Sequence, residues 1–468
     1  MSQPQPPVAL YVHLPFCVAR CPYCDFVVYA GPDARGPRSR AGRLYEAVAC
    51  ELELRADRLD ATFGPATVAG DGGTAAAAGS GTMPEGSRQW IAAARDRTPS
   101  PKPITPREAR PLLDSVYFGG GTPSLAPAAV LERLLGIVAS RYGIAPDAEI
   151  TLEMNPGPDE RGDLAAFARL GVNRVSIGAQ SLDPGELRRL GRRHSPAAVA
   201  VAVELVRAAG IGSINLDLLY DIPGQSIGSW EATLRAALDL APDHLSLYAL
   251  TLDDPDAEGL TGDGGDHLPT PPGARKWRDR ARPEQDDDRA AEQYGIAFEL
   301  LGDQGWQGYE ISNWSRPGHE SRHNLAYWRR LSYEAVGPGA HAFDGVTRRW
   351  SSAALGPYLA ALLPSEARPG PAAPEQPAID VPAHAPALPP GGEEVVTPAG
   401  AAAEAAILAL RLDRGIAESD AVTAPLAGVV AWGLESGLLE RVATGGERRL
   451  RLTLRGRLLS NELFTRLI

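Results

Sequence analysis

Three of the four cysteines in the chain, Cys17, Cys21 and Cys24, fall within eight residues at C-x3-C-x2-C spacing. Three thiolates on one short loop can grip three corners of a [4Fe–4S] cluster, whose usual ligands are cysteines, and leave the fourth iron open. An open iron can be chelated by the amino and carboxylate groups of S-adenosylmethionine, whose sulfonium bond an electron from the cluster can then cleave. The competing chemistry is a zinc site, since three cysteines and a histidine such as His13 satisfy tetrahedral coordination. Zinc knuckles usually come as paired CxxC units, and no second pair is present, which favours the cluster. Cys50 falls in a predicted helix over residues 43–59, where a free cysteine behaves as a small hydrophobe.

The elements that must position this loop alternate. Short apolar runs at Ala9–His13, Ser115–Phe118, Glu149–Glu153, Arg174–Ile177, Ile214–Leu218 and His244–Ala249 predict six strands. Between them Arg43–Leu59, Ala128–Tyr142, Asp159–Leu170, Pro196–Ala209 and Ser229–Leu240 carry apolar residues at three- and four-residue spacing and predict helices. Strand alternating with helix implies a parallel sheet, and in such architectures chemistry collects at the carboxyl ends of the strands. The cysteine loop follows the first strand, where this rule would put it.

Composition bounds the rest. With 468 residues, 44% hydrophobic and 22% charged, the chain is long enough for several domains and ordinary enough to exclude wholesale disorder. A net charge of −12 disfavours a dedicated nucleic-acid surface. No run of about 18 apolar residues predicts a membrane span, and four cysteines are too few for a stapled secreted scaffold, so a cytoplasmic address is expected. The excess of 50 Gly and 42 Pro gathers in three segments. The reading therefore divides the chain into residues 1–252 with a low-complexity insertion near 60–110, an insertion at 253–288, a helix and a histidine motif over 289–363, a Pro/Ala-rich linker at 364–403, and a small carboxyl-terminal domain over 404–468.

The cysteine spacing after a first strand is the signature of the radical S-adenosylmethionine superfamily, and the chain resembles that superfamily further along. Gly119-Gly120-Gly121-Thr122-Pro-Ser follows the second strand. Glu153-Met-Asn-Pro, Ser176-Ile-Gly-Ala-Gln180-Ser, Leu190-Gly-Arg192-Arg-His and Asn215-Leu-Asp217-Leu-Leu-Tyr-Asp-Ile-Pro-Gly-Gln resemble its coproporphyrinogen oxidase branch. The resemblance implies a partial, open (β/α)6 barrel with a small carboxyl-terminal α/β or winged-helix-like domain. It also implies that Gly120, Gly121, Thr122, Glu153, Gln180, Arg192 and Asp217 bind S-adenosylmethionine, with Tyr11 and Tyr23 flanking the cluster loop. Carboxylates and amides suit ribose hydroxyls, and an arginine suits a carboxylate.

Two functions compete within that branch. Oxygen-independent coproporphyrinogen III oxidases decarboxylate two propionates, and HemW-type haem chaperones carry haem to proteins that require it. The oxidases extend the cluster motif to a fourth cysteine two residues on, where this chain has Phe26, which counts against the enzyme. His323-Asn324-Leu-Ala-Tyr327-Trp328 resembles the H-N-x-x-Y-W motif of the chaperones, implicated in haem binding. Haem iron favours imidazole and a porphyrin face favours aromatic packing, so His323 is expected to ligate iron with Tyr327 and Trp328 against the ring. His319 and His341 are the alternative imidazoles, and one structural reading of His323 is a hydrogen-bonded core histidine. The expected partners are haem and a haem-accepting protein, a respiratory enzyme by family expectation, and the resemblance leaves a homodimer open.

Overall fold

The computed structural model describes residues 3–66, 109–252, 255–262, 264–363, 385–422, 426–444 and 446–467. Most of the segments near 60–110 and 364–403 thus lies outside the described residues. Strands and helices alternate in the first half as β1 (Ala9–Leu14), α1 (Ala41–Phe63), β2 (Leu113–Gly120), α2 (Ala128–Arg141), β3 (Ile144–Met154), α3 (Leu164–Arg169) and β4 (Arg174–Gln180). They continue as α4 (Pro184–Arg189), α5 (Pro196–Ala208), β5 (Ser213–Tyr220), α6 (Ile227–Asp239) and β6 (His244–Ala249). The six strands pair in parallel in chain order, β1 to β6. The parallel order is what the alternation predicts, and the open, partial barrel is what the resemblance implies.

Each strand separates its residues by parity, because successive side chains point to opposite faces. Leu10, Val12, Val116, Phe118, Leu152, Val175, Ile177, Ile214, Leu216, Leu245 and Leu247 form one face of the sheet and are fully or almost fully buried in one core. Helix residues Leu44, Leu52, Leu131, Leu134, Val199, Val203, Trp230 and Leu234 complete that core. Burying each such side chain stabilises the fold by about 1.5–3 kcal/mol. The intervening residues are polar and face inward, in a register that aligns Glu153 with Ser176, Ser176 with Asn215, and Asp217 with Ser246.

Beyond β6 the chain runs α7 (Pro272–Ala281), α8 (Asp287–Asp303), β7 (Gln307–Gly308), β8 (Asn313–Ser315), α9 (Arg322–Trp328), β9 (Tyr333–Val336), β10 (His341–Phe343), β11 (Thr347–Ser351), α10 (Leu355–Leu362) and β12 (Gly391–Val395). Strands β8 and β7 extend the sheet antiparallel past β6, while β9 pairs parallel with β1 and carries β10, β11 and β12 after it. Among the described residues the sheet therefore has twelve strands, six of which the sequence reading does not predict. The segment 253–288, read as a low-complexity insertion, contains α7, and the segment 364–403, read as a Pro/Ala-rich linker, contains β12 and the start of the helix that follows it.

That helix, α11 (Pro398–Arg411), opens the carboxyl-terminal unit, followed by β13 (Ile416–Ala417), α12 (Leu426–Glu435), β14 (Leu439–Thr444), β15 (Glu447–Leu452) and two short helices over 454–458 and 460–464. The unit has its own core around Leu410, Leu450, Leu463 and Phe464. It docks on the barrel where Arg457 donates to Glu310 O at 3.1 Å and the Arg411 guanidinium lies 4.7 Å over Trp328.

A buried network fixes the turn between β9 and β10. Glu51 on α1 pairs with Arg55 at 3.0 Å and accepts from Tyr358 Oη at 2.6 Å and from Gly337 N at 2.9 Å. Gly337 has φ 108°, and a Cβ there would fall 2.5 Å from His13 O, so only glycine lets this turn close against β1.

Candidate functional site

At the carboxyl ends of β1 to β6 lies a cavity of about 710 Å³. Of the residues assigned from the sequence to the cluster, to S-adenosylmethionine and to the histidine motif, all but Thr122 and Trp328 line it, while the alternative imidazoles His319 and His341 do not. Cys17, Cys21 and Cys24 occupy the loop that leaves β1, tied to the barrel by Cys17 N donating to Tyr29 O at 2.9 Å. The glycine loop after β2 lies against that loop: Gly121 N donates to Leu14 O at 3.0 Å and Thr122 N to Phe16 O at 2.9 Å. A Cβ on Gly121 would fall 2.7 Å from Phe16 O, so the close approach itself requires glycine.

Two cysteine sulfurs are held by one polar chain. Thr122 Oγ1 lies 3.4 Å from Cys17 Sγ, Asn155 Nδ2 donates to Thr122 Oγ1 at 2.9 Å, and Arg192 donates to Asn155 Oδ1 at 2.5 Å and reaches Cys21 Sγ at 3.6 Å. Thr122 therefore meets a cysteine rather than the cavity, and Arg192 divides itself between Cys21, Asn155 and Gly178 O at 2.6 Å. Asn155, at the centre of the chain, is absent from the sequence-stated site although it stands inside the Glu153-Met-Asn-Pro motif. Burial pushes the Cys17 thiol up to about 11 and the Cys24 thiol up to about 12, and positive charge brought close to them would favour the thiolates.

The acceptors sit opposite. Glu153 accepts from Tyr117 Oη and from Gly120 N, both at 2.9 Å, and burial with the nearby charge of Asp217 raises its carboxyl to about 7. Asp217 accepts from Ser176 Oγ at 2.9 Å and from Asn215 Nδ2 at 2.7 Å, and burial raises its carboxyl above the ordinary range. His244 continues the network to Asn215 Oδ1 at 2.7 Å and Tyr309 Oη at 2.9 Å. Gln180 reaches the cavity because the β4–β5 register shifts before it and its φ is 66°, a left-handed conformation unusual outside glycine. Inward parity on β4, β5 and β6 is the signal that would have found Ser176, Asn215, His244 and Ser246.

The cavity residues fit a cluster with S-adenosylmethionine. Gly178 leaves open a cradle in which a Cβ would crowd Gln180 Nε2 at 3.0 Å, Asn155 Oδ1 at 3.2 Å and Arg192 Nη2 at 3.3 Å. Arg20 Nε is buried without a partner among the described residues. The zinc alternative fails on His13, whose Nδ1 meets Tyr11 Oη at 3.0 Å and whose Nε2 meets Val27 O at 2.9 Å. Cys50 packs partly buried against the main core, as a small hydrophobe does.

The histidine motif forms α9, capped by Ser321 Oγ accepting from Asn324 N at 3.3 Å. Positions i and i+4 share a helix face, so His323 and Tyr327 point together into the cavity while Trp328 turns away to meet Arg411. The expectation that Trp328 packs beside Tyr327 on one ligand is thus corrected by helical phase. His323 is 1% exposed, with Nδ1 3.0 Å from Ser115 Oγ and Nε2 2.7 Å from Tyr327 Oη. Burial pushes its imidazole down to about 3, so it is neutral, and both of its nitrogens are already engaged.

Tyr23 is half-buried, its ring 6.5 Å from that of Trp277 on α7. From the same helix Arg278 donates to Tyr23 O at 3.3 Å and to Cys24 O at 3.2 Å. The segment read as an insertion therefore buttresses the cluster loop.

The radical SAM superfamily model matches residues 107–237. A protein of Mycobacterium tuberculosis named heme chaperone HemW is 34% identical over 348 residues, 74% of this chain and 72% of its own length. Its namesake from Escherichia coli is 33% identical over 336 residues, covering 72% and 70%. Among solved structures, the radical SAM coproporphyrinogen III oxidase of Escherichia coli superposes with a TM-score of 0.69 at 18% identity over 99% of this chain and 91% of that one, a likeness of fold. By its extended identity with the HemW proteins, the chain belongs to the HemW heme chaperone family within the radical SAM superfamily.

Proposed function

We propose that the protein binds haem and hands it to a haem-requiring recipient in the cytoplasm, with a [4Fe–4S] cluster and S-adenosylmethionine as its resident cofactors. The observation that carries this reading is the sequence likeness to the haem chaperones over most of the chain. Cys17, Cys21 and Cys24 would hold the cluster, and Gly120, Gly121, Glu153, Gln180, Arg192 and Asp217 would hold S-adenosylmethionine. When bound, that pair supplies one-electron chemistry. The chain's own part is to exclude water by burial, to set Cys17 and Cys21 through Thr122, Asn155 and Arg192, and to present acidic groups to a cationic ligand through Glu153 and Asp217.

The oxidase reading is disfavoured by Phe26, 66% exposed where the oxidases have a further cysteine. The test uses anaerobically reconstituted full-length protein. Hemin is titrated in and followed by its Soret band, then transfer to an apo-haemoprotein is timed. Stoichiometric uptake with release to the acceptor is expected, and coproporphyrinogen III incubated with reductant and S-adenosylmethionine should stay intact. No hemin uptake, or a doubly decarboxylated product, would overturn the chaperone reading.

A further inference from the structure

A second cavity of about 400 Å³ adjoins the first and shares Tyr11, Asp25, Phe26 and Tyr327 with it. Its remaining wall includes His267 and His341, two imidazoles on one carboxylate. His267 Nδ1 lies 2.9 Å from Asp266 Oδ1, and His341 Nε2 lies 2.9 Å from Asp266 Oδ2. The His341 ring stacks on Trp350, centroids 5.9 Å apart at 22°. Metal-bound histidine commonly donates its other ring N–H to a carboxylate, which fixes the tautomer and makes the free nitrogen more basic. His267 and His341 both meet that description, but His267 turns Nδ1 to Asp266 and leaves Nε2, the nitrogen farther from the backbone, without a partner among the described residues, whereas His341 leaves Nδ1. His323 does not, because Ser115 and Tyr327 engage both of its nitrogens.

Described residues beside His267 are hydrogen-bonded in place. Trp350 Nε1 donates to Gly264 O at 3.2 Å, Ala353 N to Gly265 O at 2.8 Å, and His267 N to Leu260 O at 3.1 Å. Side-chain exposure of 32% leaves the His267 imidazole reachable from solvent, and Phe26 at 66% offers an apolar face at the same mouth. A flat apolar macrocycle with a central iron needs such a combination of open slot, aromatic edge and accessible nitrogen. The first cavity, by the function proposed above, is taken by the cluster and S-adenosylmethionine.

We propose that haem docks in this second cavity with His267 Nε2 as the axial ligand of its iron, and with Asp266, itself oriented by His341, as the positioning group. The inference rests on the haem-binding reading. Ligation forms an Fe–N bond from the neutral imidazole in place of water, and the Nδ1 proton stays on the hydrogen bond to Asp266.

Hemin titration of the full-length, reconstituted protein tests it, with the Soret position and the low-temperature EPR signal as readouts. His267→Ala should weaken hemin binding by roughly tenfold or more and abolish the imidazole-ligated spectrum, and His267→Gly should regain that spectrum with free imidazole. Asp266→Asn should keep the ligand while weakening binding by about tenfold. His323→Ala should keep the ligated spectrum, with urea unfolding and iron content certifying each fold. A wild-type spectrum in His267→Ala, or its loss in folded His323→Ala alone, would overturn the assignment and leave haem binding standing. Absence of hemin uptake by the wild type would overturn the function itself.

Discussion

The two cavities hold their histidines in opposite ways. In the inner cavity His323 stands fully buried between two hydroxyl groups, and at the rim His267 stands against a carboxylate with one nitrogen free. Both are imidazoles near aromatic rings, and a sequence motif draws attention only to the first. The difference is that a ring's availability to a metal depends on its second nitrogen's partner and on its access to solvent, and neither is a property of the residue itself.

The comparison can be broken most forcefully by removing the inner cavity's chemistry. Cys21→Ser is expected to lose nearly all cluster iron and sulfide, measured by chemical analysis of the reconstituted protein, while hemin binds the rim with unchanged affinity. If hemin uptake vanished along with the iron, the two cavities would be one site.

A smaller effect is expected from Asn155→Ala, which removes the group between Thr122 and Arg192 and leaves the Arg192 guanidinium without one of its acceptors. The cost should be about 1–3 kcal/mol in urea unfolding, accompanied by easier loss of the cluster and with no shift of the hemin Soret band.

The pH dependence sharpens the contrast further. Glu153 has its carboxyl raised to about 7, so the anion that a cationic ligand selects grows as pH rises through that value. S-adenosylmethionine affinity should climb about tenfold from pH 6 to pH 8 by calorimetry, and stay flat in Glu153→Gln. The same raised value costs stability: what protonated Glu153 contributes is present below the ordinary carboxylate range and lost as pH rises through about 7. The empty protein should accordingly gain stability from Glu153→Gln at pH 8 and little at pH 5.

The smallest effect belongs to His323. Its folded value, pushed down to about 3 by burial, lies below the ordinary imidazole value, so the stability carried by the neutral ring is complete above about 6.5 and lost as pH falls toward 3. His323→Gln should flatten the acid limb of the stability profile, the effect being confined to acid pH and smallest at pH 8, where the ring is already neutral. An unaltered acid limb would mean that the ring is not held neutral by burial.

Much of this protein was legible in the residues. The predicted strand His244–Ala249 is the observed β6, and the other five fall inside or one residue short of β1 to β5. Alternating apolar periodicity is a local property, and a parallel sheet follows from it. The cysteine loop, the glycine loop, Glu153 and Gln180 lie at strand ends because strand and motif are adjacent in sequence, while Asp217 lies within β5 and Arg192 follows α4. What escaped is nonlocal. β9 to β12 are short strands without periodicity, and α7 has too few apolar residues to announce a buried face. The pairing of β9 with β1 is separated by more than three hundred residues of chain.

The sequence by itself thus determined the barrel, the cluster loop and the family, since each rests on spacings of a few residues that backbone geometry converts directly into place. Only the tertiary structure decided which imidazole is free, that Trp328 leaves the cavity, that Thr122 and Arg192 serve the cysteines, and that the segment at 253–288 brings Arg278 and His267 to the site. The reason is physical: a hydrogen-bond partner from a distant strand or loop is set by packing, and packing sums contacts from the whole chain.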